Sequence, residues 1–112
     1  MNILLVESST LYKDILQRAL QGMSDLNIDQ VGTAAQAWQA LQHQSYQFFV
    51  LAGQFDDGTG IELARALRVN AAAATAPIVV LTSSASSEMA QAAVLARVTE
   101  LFRKQDIDEL VR

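Results

Sequence analysis

The side chains that could do chemistry in this chain stand just after apolar runs. Glu7 and Ser8 follow NILLV, Ala52 and Gly53 close FFVLAG, Thr82 and Ser83 close IVVLTS, and Lys104 follows ELFR. A hydroxyl and an ammonium brought together could hold a phosphate or a sulfate through charge-assisted hydrogen bonds. The stretch FFVLAGQFDDGTG adds two acids, Asp56 and Asp57, and two glycines, Gly58 and Gly60. Loops that follow buried strands often carry active sites. The question is whether this one holds the machinery of a reaction.

Composition removes several kinds of chemistry. The chain has no cysteine, which excludes a disulfide framework, a thiolate zinc site and a cysteine nucleophile together. His43 is the only histidine, so imidazole clusters that ligate metals are excluded as well. The net charge is −4 and no basic run occurs, so nucleic acid is not an expected partner. No apolar run reaches transmembrane length, and MNILLVESS lacks the basic start and long apolar centre of a signal peptide. The default is a soluble cytoplasmic domain that needs no membrane. The 112 residues, 51% of them hydrophobic, suffice for one domain with a core and are too few for two.

The elements that must position these residues alternate. NILLVE is continuously apolar until its last residue, which suits a strand covered on both faces. Ser8, Ser9 and Thr10 offer N-cap hydroxyls for a helix over Leu11 to Met23. A second strand is expected over Leu26–Val31, a helix over Ala34–His43 and a third strand over Gln47–Ala52. Apolar spacing from Ile61 to Val69 predicts another helix, with Asn70–Ala76 as a connector. Pro77 sits at the edge of the fourth strand, IVVLT, where no ladder hydrogen bond is lost. A helix over Glu88–Arg97, a fifth strand over Thr99–Arg103 and a last helix from Asp106 complete the pattern. Alternation of this kind implies a doubly wound α/β fold with a five-stranded parallel sheet. Its site lies at the carboxyl ends of the strands, near the reversal of strand order. Glu7, Ser8, Ala52, Thr82, Ser83 and Lys104 all fall there. The last helix is cut short after about two turns, which leads us to expect a piece of a longer multidomain protein.

Plain structural roles account for the other candidates. Asp56 and Asp57 read as solvated loop acids, with Asp57 helping to cap the helix that Gly58-Thr59-Gly60 opens. His43 suits a helix C-terminus. Trp38 reads as packing on the second helix. The serines at 83, 84, 86 and 87 read as caps and turn formers rather than nucleophiles.

The order of the strand ends resembles the receiver domain of two-component response regulators, over nearly the whole chain. The motifs that carry the likeness are NILLVESS, TAAQAWQAL, GIELARALR, APIVVLTS and ELFRKQDIDEL. The resemblance implies a flavodoxin-like sheet in the order 2-1-3-4-5. It also implies a mechanism, found in bacterial phosphorelay signalling. An aspartate at the end of the third strand accepts a phosphoryl group from a histidine kinase. Magnesium is held by that aspartate, by acids after the first strand and by a loop carbonyl. A threonine and a lysine, here Thr82 and Lys104, bind phosphoryl oxygens.

Counted back from GIELARALR, the acceptor position falls on Ala52, whose methyl group cannot be phosphorylated. Of the two acids after the first strand, Glu7 remains and Ser8 takes the second place. One carboxylate and a hydroxyl should hold Mg²⁺ weakly or not at all, so Glu7 is only a partial metal ligand and no cofactor is expected. Gln105 stands where the family usually has a proline in a cis peptide, so a trans bond is expected. The family's strand-five aromatic falls at Leu101, with Phe102 one place later and therefore on the other face. Lys104 has lost an acidic neighbour, and Glu7 is expected to pair with it. These departures point to a non-enzymatic pseudo-receiver that docks through helix four, strand five and helix five. Its partner would be another protein, a neighbouring output domain or a second copy of itself. The alternatives are phosphorylation at a non-standard residue and a small-anion or ligand sensor using the vacated pocket.

Overall fold

The computed structural model describes residues 1–23, 25–71, 73–83 and 86–106. In chain order the elements are β1 (Asn2–Val6), α1 (Leu11–Ala19), β2 (Asn27–Val31), α2 (Ala34–His43), β3 (Phe48–Ala52), β4 (Gln54–Phe55), β5 (Gly58–Thr59), α3 (Gly60–Arg68), β6 (Ile78–Thr82), α4 (Ser87–Leu95) and β7 (Glu100–Arg103). Five of the strands form one parallel sheet in the order β2-β1-β3-β6-β7. This is the expected flavodoxin-like order, with two short strands intervening in the count. The expected helix after Asp106 and the role given to Ser84 lie outside the described residues.

The continuous apolar runs are explained by burial on both faces of the sheet. Side chains alternate along a strand, so each run divides between two cores. Leu4, Val6, Phe49, Leu51, Ile78 and Val80 face α2 and α3, where they meet Ala37, Leu63, Ala64 and Leu67. Ile3, Leu5, Val50 and Leu81 face α1 and meet Tyr12 and Ile15. Trp38 is partly buried against the first of these cores, as a packing role predicts. Leu101 also packs against that core, whereas Phe102 packs against the second. The aromatic therefore lies on the face opposite to its neighbour Leu101.

Three expectations need correction. The first helix ends at Ala19, and turns replace its expected continuation to Met23. Met23 is 45% exposed, so little burial would reward another turn. Its N-cap residue, Thr10, makes no side-chain cap bond; Ser9 Oγ accepts from Leu11 N instead. The loop after β3 is not irregular, because β4 and β5 pair antiparallel around Asp56 and Asp57. Finally, Asp57 does not cap α3. Thr59 Oγ1 accepts from Glu62 N and does that work. Asp57 turns away to another helix, as described below.

Candidate functional site

Four strand ends meet along one edge of the sheet. Glu7 follows β1, Ala52 ends β3, Thr82 ends β6 and Lys104 follows β7, and these strands are consecutive neighbours. Glu7 is held in line because its N–H donates to Val31 O of β2 at 2.9 Å. Gln30 Nε2 donates to the carbonyls of Glu7 and Ser9, at 2.6 and 2.9 Å, and fastens the start of the next loop. Ala52 sits opposite Leu81, and Gly53 N donates to Leu81 O at 2.7 Å.

The loop after β3 closes tightly on Ala52. Gly60 N donates to Gly53 O at 3.1 Å, and a Cβ added at Gly60 would stand 2.2 Å from Ala52 O. No side chain fits in that space. A Cβ at Gly53 would stand 3.2 Å from the Cβ and Oγ1 of Thr82, so β3 and β6 also approach closely at their ends. Ala52 is 3% exposed and Thr82 is 5% exposed, both enclosed by this packing.

The charged members of the site are matched to each other. Lys104 Nζ lies 3.0 Å from Glu7 Oε2, across the ends of β3 and β6. Three strand spacings of about 4.8 Å separate their strands, and two long side chains span the gap. Glu7 is 4% exposed, and its other oxygen, Oε1, accepts from Ser9 N at 3.2 Å. Oε2 has the ammonium at ion-pair distance but no partner at hydrogen-bond angles, so the contact is Coulombic rather than directed. Lys104 Nζ also stands 4.9 Å from the centroid of the Tyr12 ring, within cation–π range. Burial of Glu7 is therefore compensated by one cation and one backbone donor.

A cavity of about 260 Å³ adjoins the pair, lined by Gly53, Gln54, Thr59, Thr82, Ser83, Met89 and Lys104. Ser8 is exposed and belongs to a separate hollow, which it shares with Gly32, Gln54 and Asp56. Asp56 is thus near Ser8 and apart from the cavity of Thr82 and Lys104. The residues present do not fit the family's Mg²⁺ ion. Ala52 offers no donor, and the Glu7 carboxylate is already paired. Among the described residues no group of three or more His, Asp or Glu side chains is placed to hold a metal.

Asp57 performs a task that sequence reasoning gave it at the wrong helix. Its Oδ1 and Oδ2 accept from the backbone N–H groups of Ala34 and Ala35, at 2.9 and 3.0 Å. These two bonds at the N-terminus of α2 hold its carboxyl below the usual aspartate pKa. Asp57 is therefore committed to fixing the β4–β5 turn to α2. His43 lies exposed at the last turn of α2, at one end of a long open hollow that also borders Glu7 and Ser8.

Sequence reasoning also missed a polar cluster at the far side of β2. Tyr46 is buried, and its hydroxyl donates to Asp29 Oδ2 at 2.6 Å. Burial, and then the neighbouring carboxylate, push the Tyr46 pKa up to about 12. The signal was present as one aromatic at the start of an apolar run, but its partner lies 17 residues away.

A family model described as the response regulator receiver domain matches residues 3–112. The chain belongs to that family. Solved receiver structures share the fold. The Mn²⁺-bound form of response regulator Rcp1 is 23% identical, with 98% of this chain and 88% of that chain covered at a TM-score of 0.82. The phosphorylated cyanobacterial phytochrome response regulator RcpA is 18% identical, covering 98% and 85%, with a TM-score of 0.85. The receiver domain of the sensor histidine kinase PA1611 from Pseudomonas aeruginosa, with magnesium in its active-site cleft, is 18% identical, covering 98% and 93%, with a TM-score of 0.74. No curated protein matches the chain. In this receiver the carboxyl ends of β1, β3, β6 and β7 bring together Glu7, Ala52, Thr82 and Lys104.

Proposed function

We propose that this receiver domain is a pseudo-receiver, a regulatory or interaction module that works without phosphorylation and without catalysing a reaction. The observation that carries the reading is the alanine at 52, on the same row of strand ends as a lysine whose charge is already matched by Glu7. Phosphoryl transfer calls for an acceptor side chain, carboxylates to hold a metal and a free cation. Here Ala52 offers no acceptor, Ser8 offers no carboxylate, and Glu7 and Lys104 are engaged with each other. With no ligand to favour one conformation over another, the domain rests in a single state until a partner biases it.

Its task is then docking, with another protein, a neighbouring output domain or a second copy of itself. The face that includes α4 and β7 supports this use, because Val94 and Leu95 of α4 are 75% and 77% exposed. No helix among the described residues is long and apolar enough to cross a membrane. Incubation with acetyl phosphate and Mg²⁺, followed by intact-mass measurement, tests the reading. No adduct is expected. A stable phosphoryl adduct on any residue would sink it and favour an active receiver with a non-standard acceptor.

A second reading, a small-ligand sensor, draws on the cavity of about 260 Å³ beside Thr82 and Ser83. The Glu7 carboxylate competes with any anion for Lys104, which weighs against it. Thermal shift with phosphate and sulfate decides the matter, with Lys104→Ala as control. A Lys104-dependent shift would establish this second reading.

A further inference from the structure

At the other end of α4, away from the strand ends, the helix is closed by two backbone bonds. Arg97 N donates to Val94 O and Val98 N to Ala93 O, both at 3.0 Å, which is the Schellman arrangement. That arrangement needs a left-handed residue, usually glycine, and here the position is Arg97, with φ of 58°. A non-glycine residue adopts this conformation at a cost, so something must hold it there.

Arg68, the last residue of α3, is the group in place. Its Nε and Nη2 both donate to the Arg97 carbonyl, at 3.0 and 2.8 Å. Its Nη1 donates to the carbonyls of Ala73 and Ala76, and Nη2 also reaches Thr99 Oγ1 at 3.4 Å. Thr99 Oγ1 in turn accepts from Ile78 N at 2.9 Å. Arg97 answers with a donation from Nη2 to Arg68 O at 3.4 Å. One planar fork therefore ties the end of α3, the segment before β6 and the turn after α4. A lysine has no such fork and cannot reproduce it. At the opposite end of α4, Met89 lines the cavity that Thr82, Ser83 and Lys104 share.

We propose that Arg68 is a clamp that holds Arg97 in its left-handed conformation and so pins the C-terminal end of α4. The helix is then a lever with a fixed pivot. Met89 at the other end borders the cavity, so a partner or ligand bound there acts on a helix whose far end is fixed. This inference goes beyond the phosphorylation-independent reading and does not need it. Mass measurement tests that reading, and amide exchange tests the clamp, so either can fail alone.

The test is native-state hydrogen exchange, resolved by residue, in Arg68→Gln and in Arg68→Gln/Arg97→Gly. In the single variant the amides of Arg97 and Val98 should exchange about tenfold faster, matching the penalty of a left-handed non-glycine residue. The amides of β1 and β3 should hold their rates relative to global stability. In the double variant glycine supplies the left-handed conformation by itself, and protection at residues 97 and 98 should return. If Arg68→Gln fails to fold, Arg68→Lys and Arg68→Lys/Arg97→Gly take their places with the same readout. Unchanged exchange at Arg97 and Val98, acceleration spread evenly over the sheet, or no rescue by glycine would each overturn the clamp.

Discussion

Lys104 reaches Glu7 across the ends of β3 and β6, and its Nζ stops 3.0 Å from Glu7 Oε2. The two side chains differ in exposure, 27% for Lys104 and 5% for Glu7. Removing the lysine strands the more buried charge. Lys104→Met should therefore cost more stability, about 2 kcal/mol, than Glu7→Gln, whose loss leaves a cation with access to water. The double variant should lose less than the sum of the singles. A denaturant-unfolding cycle measures this, and strict additivity would show that the pair contributes nothing.

On the pseudo-receiver reading, carboxylates placed at positions 8 and 52 should confer phosphoryl chemistry. A Ser8→Asp/Ala52→Asp variant supplies an acceptor and a second metal carboxylate on an intact frame. With acetyl phosphate and Mg²⁺ it should gain a phosphoryl adduct, and the parent should gain none. Ala52→Asp alone should react more slowly, because Lys104 and the metal would still contend with a poor ligand set. An unreactive double variant would mean that the frame itself, and not only the side chains, has departed from an active receiver.

Asp57 gives the α2 N-terminus a pH dependence. Its folded pKa is lowered by the bonds from Ala34 and Ala35, so its contribution is present above the unfolded aspartate value. That contribution is lost as pH falls through the folded value. The Ala34 and Ala35 amide resonances should titrate with a midpoint below that of an ordinary aspartate. Asp57→Ala should abolish the titration and speed amide exchange in the first turn of α2. An ordinary midpoint would remove the bridge between the hairpin turn and the helix.

Tyr46 has the opposite sign. Its folded pKa, about 12, lies above the ordinary value of 10.0, so its contribution is complete below pH 10 and is lost as pH rises toward 12. Ultraviolet titration should show one tyrosine ionising late, and Tyr46→Phe should remove that phase. The substitution should also cost about 1 kcal/mol for the lost bond to Asp29.

The two glycines at 32 and 60 should respond differently to alanine. At Gly32 an added Cβ meets only Gln36 Oε1 at 3.6 Å, so Gly32→Ala should change stability by less than about 0.5 kcal/mol. At Gly60 the added atom meets backbone, and Gly60→Ala should cost about 3 kcal/mol or prevent folding. Thermal unfolding of the two variants side by side is the check, and equal effects would refute the close approach.

What could be read from the sequence followed from local pattern. NILLV, FFVLA and IVVLT announce buried strands because every residue in them must face one core or the other. The strand ends then placed Glu7, Ala52, Thr82 and Lys104 together, and the Glu7–Lys104 pair followed from the charge left over. The missed features are long-range or short. Asp57 caps a helix 22 and 23 residues earlier, and nothing in DDGTG distinguishes that helix from the one it precedes. β4 and β5 are two residues each, too brief for alternation to register. Arg68 reads as one more cation in a helix's last turn, and only the folded chain brings Arg97 29 residues later to meet it.

The close approach at Gly60 has a meaning beyond stability. Gly60 packs against the main-chain oxygen of residue 52, and an oxygen of that kind is present whatever side chain the residue bears. The same holds for the Gly53 amide and the Leu81 carbonyl that bond across the strand ends. The architecture that identifies a receiver is thus specified by atoms that take no part in phosphoryl transfer. Kinship and reactivity can be inherited separately, because the first rests here on main-chain atoms and the second on side chains. Counting signature glycines and apolar strands measures ancestry, whereas activity has to be judged from residue 52 and the charges around it.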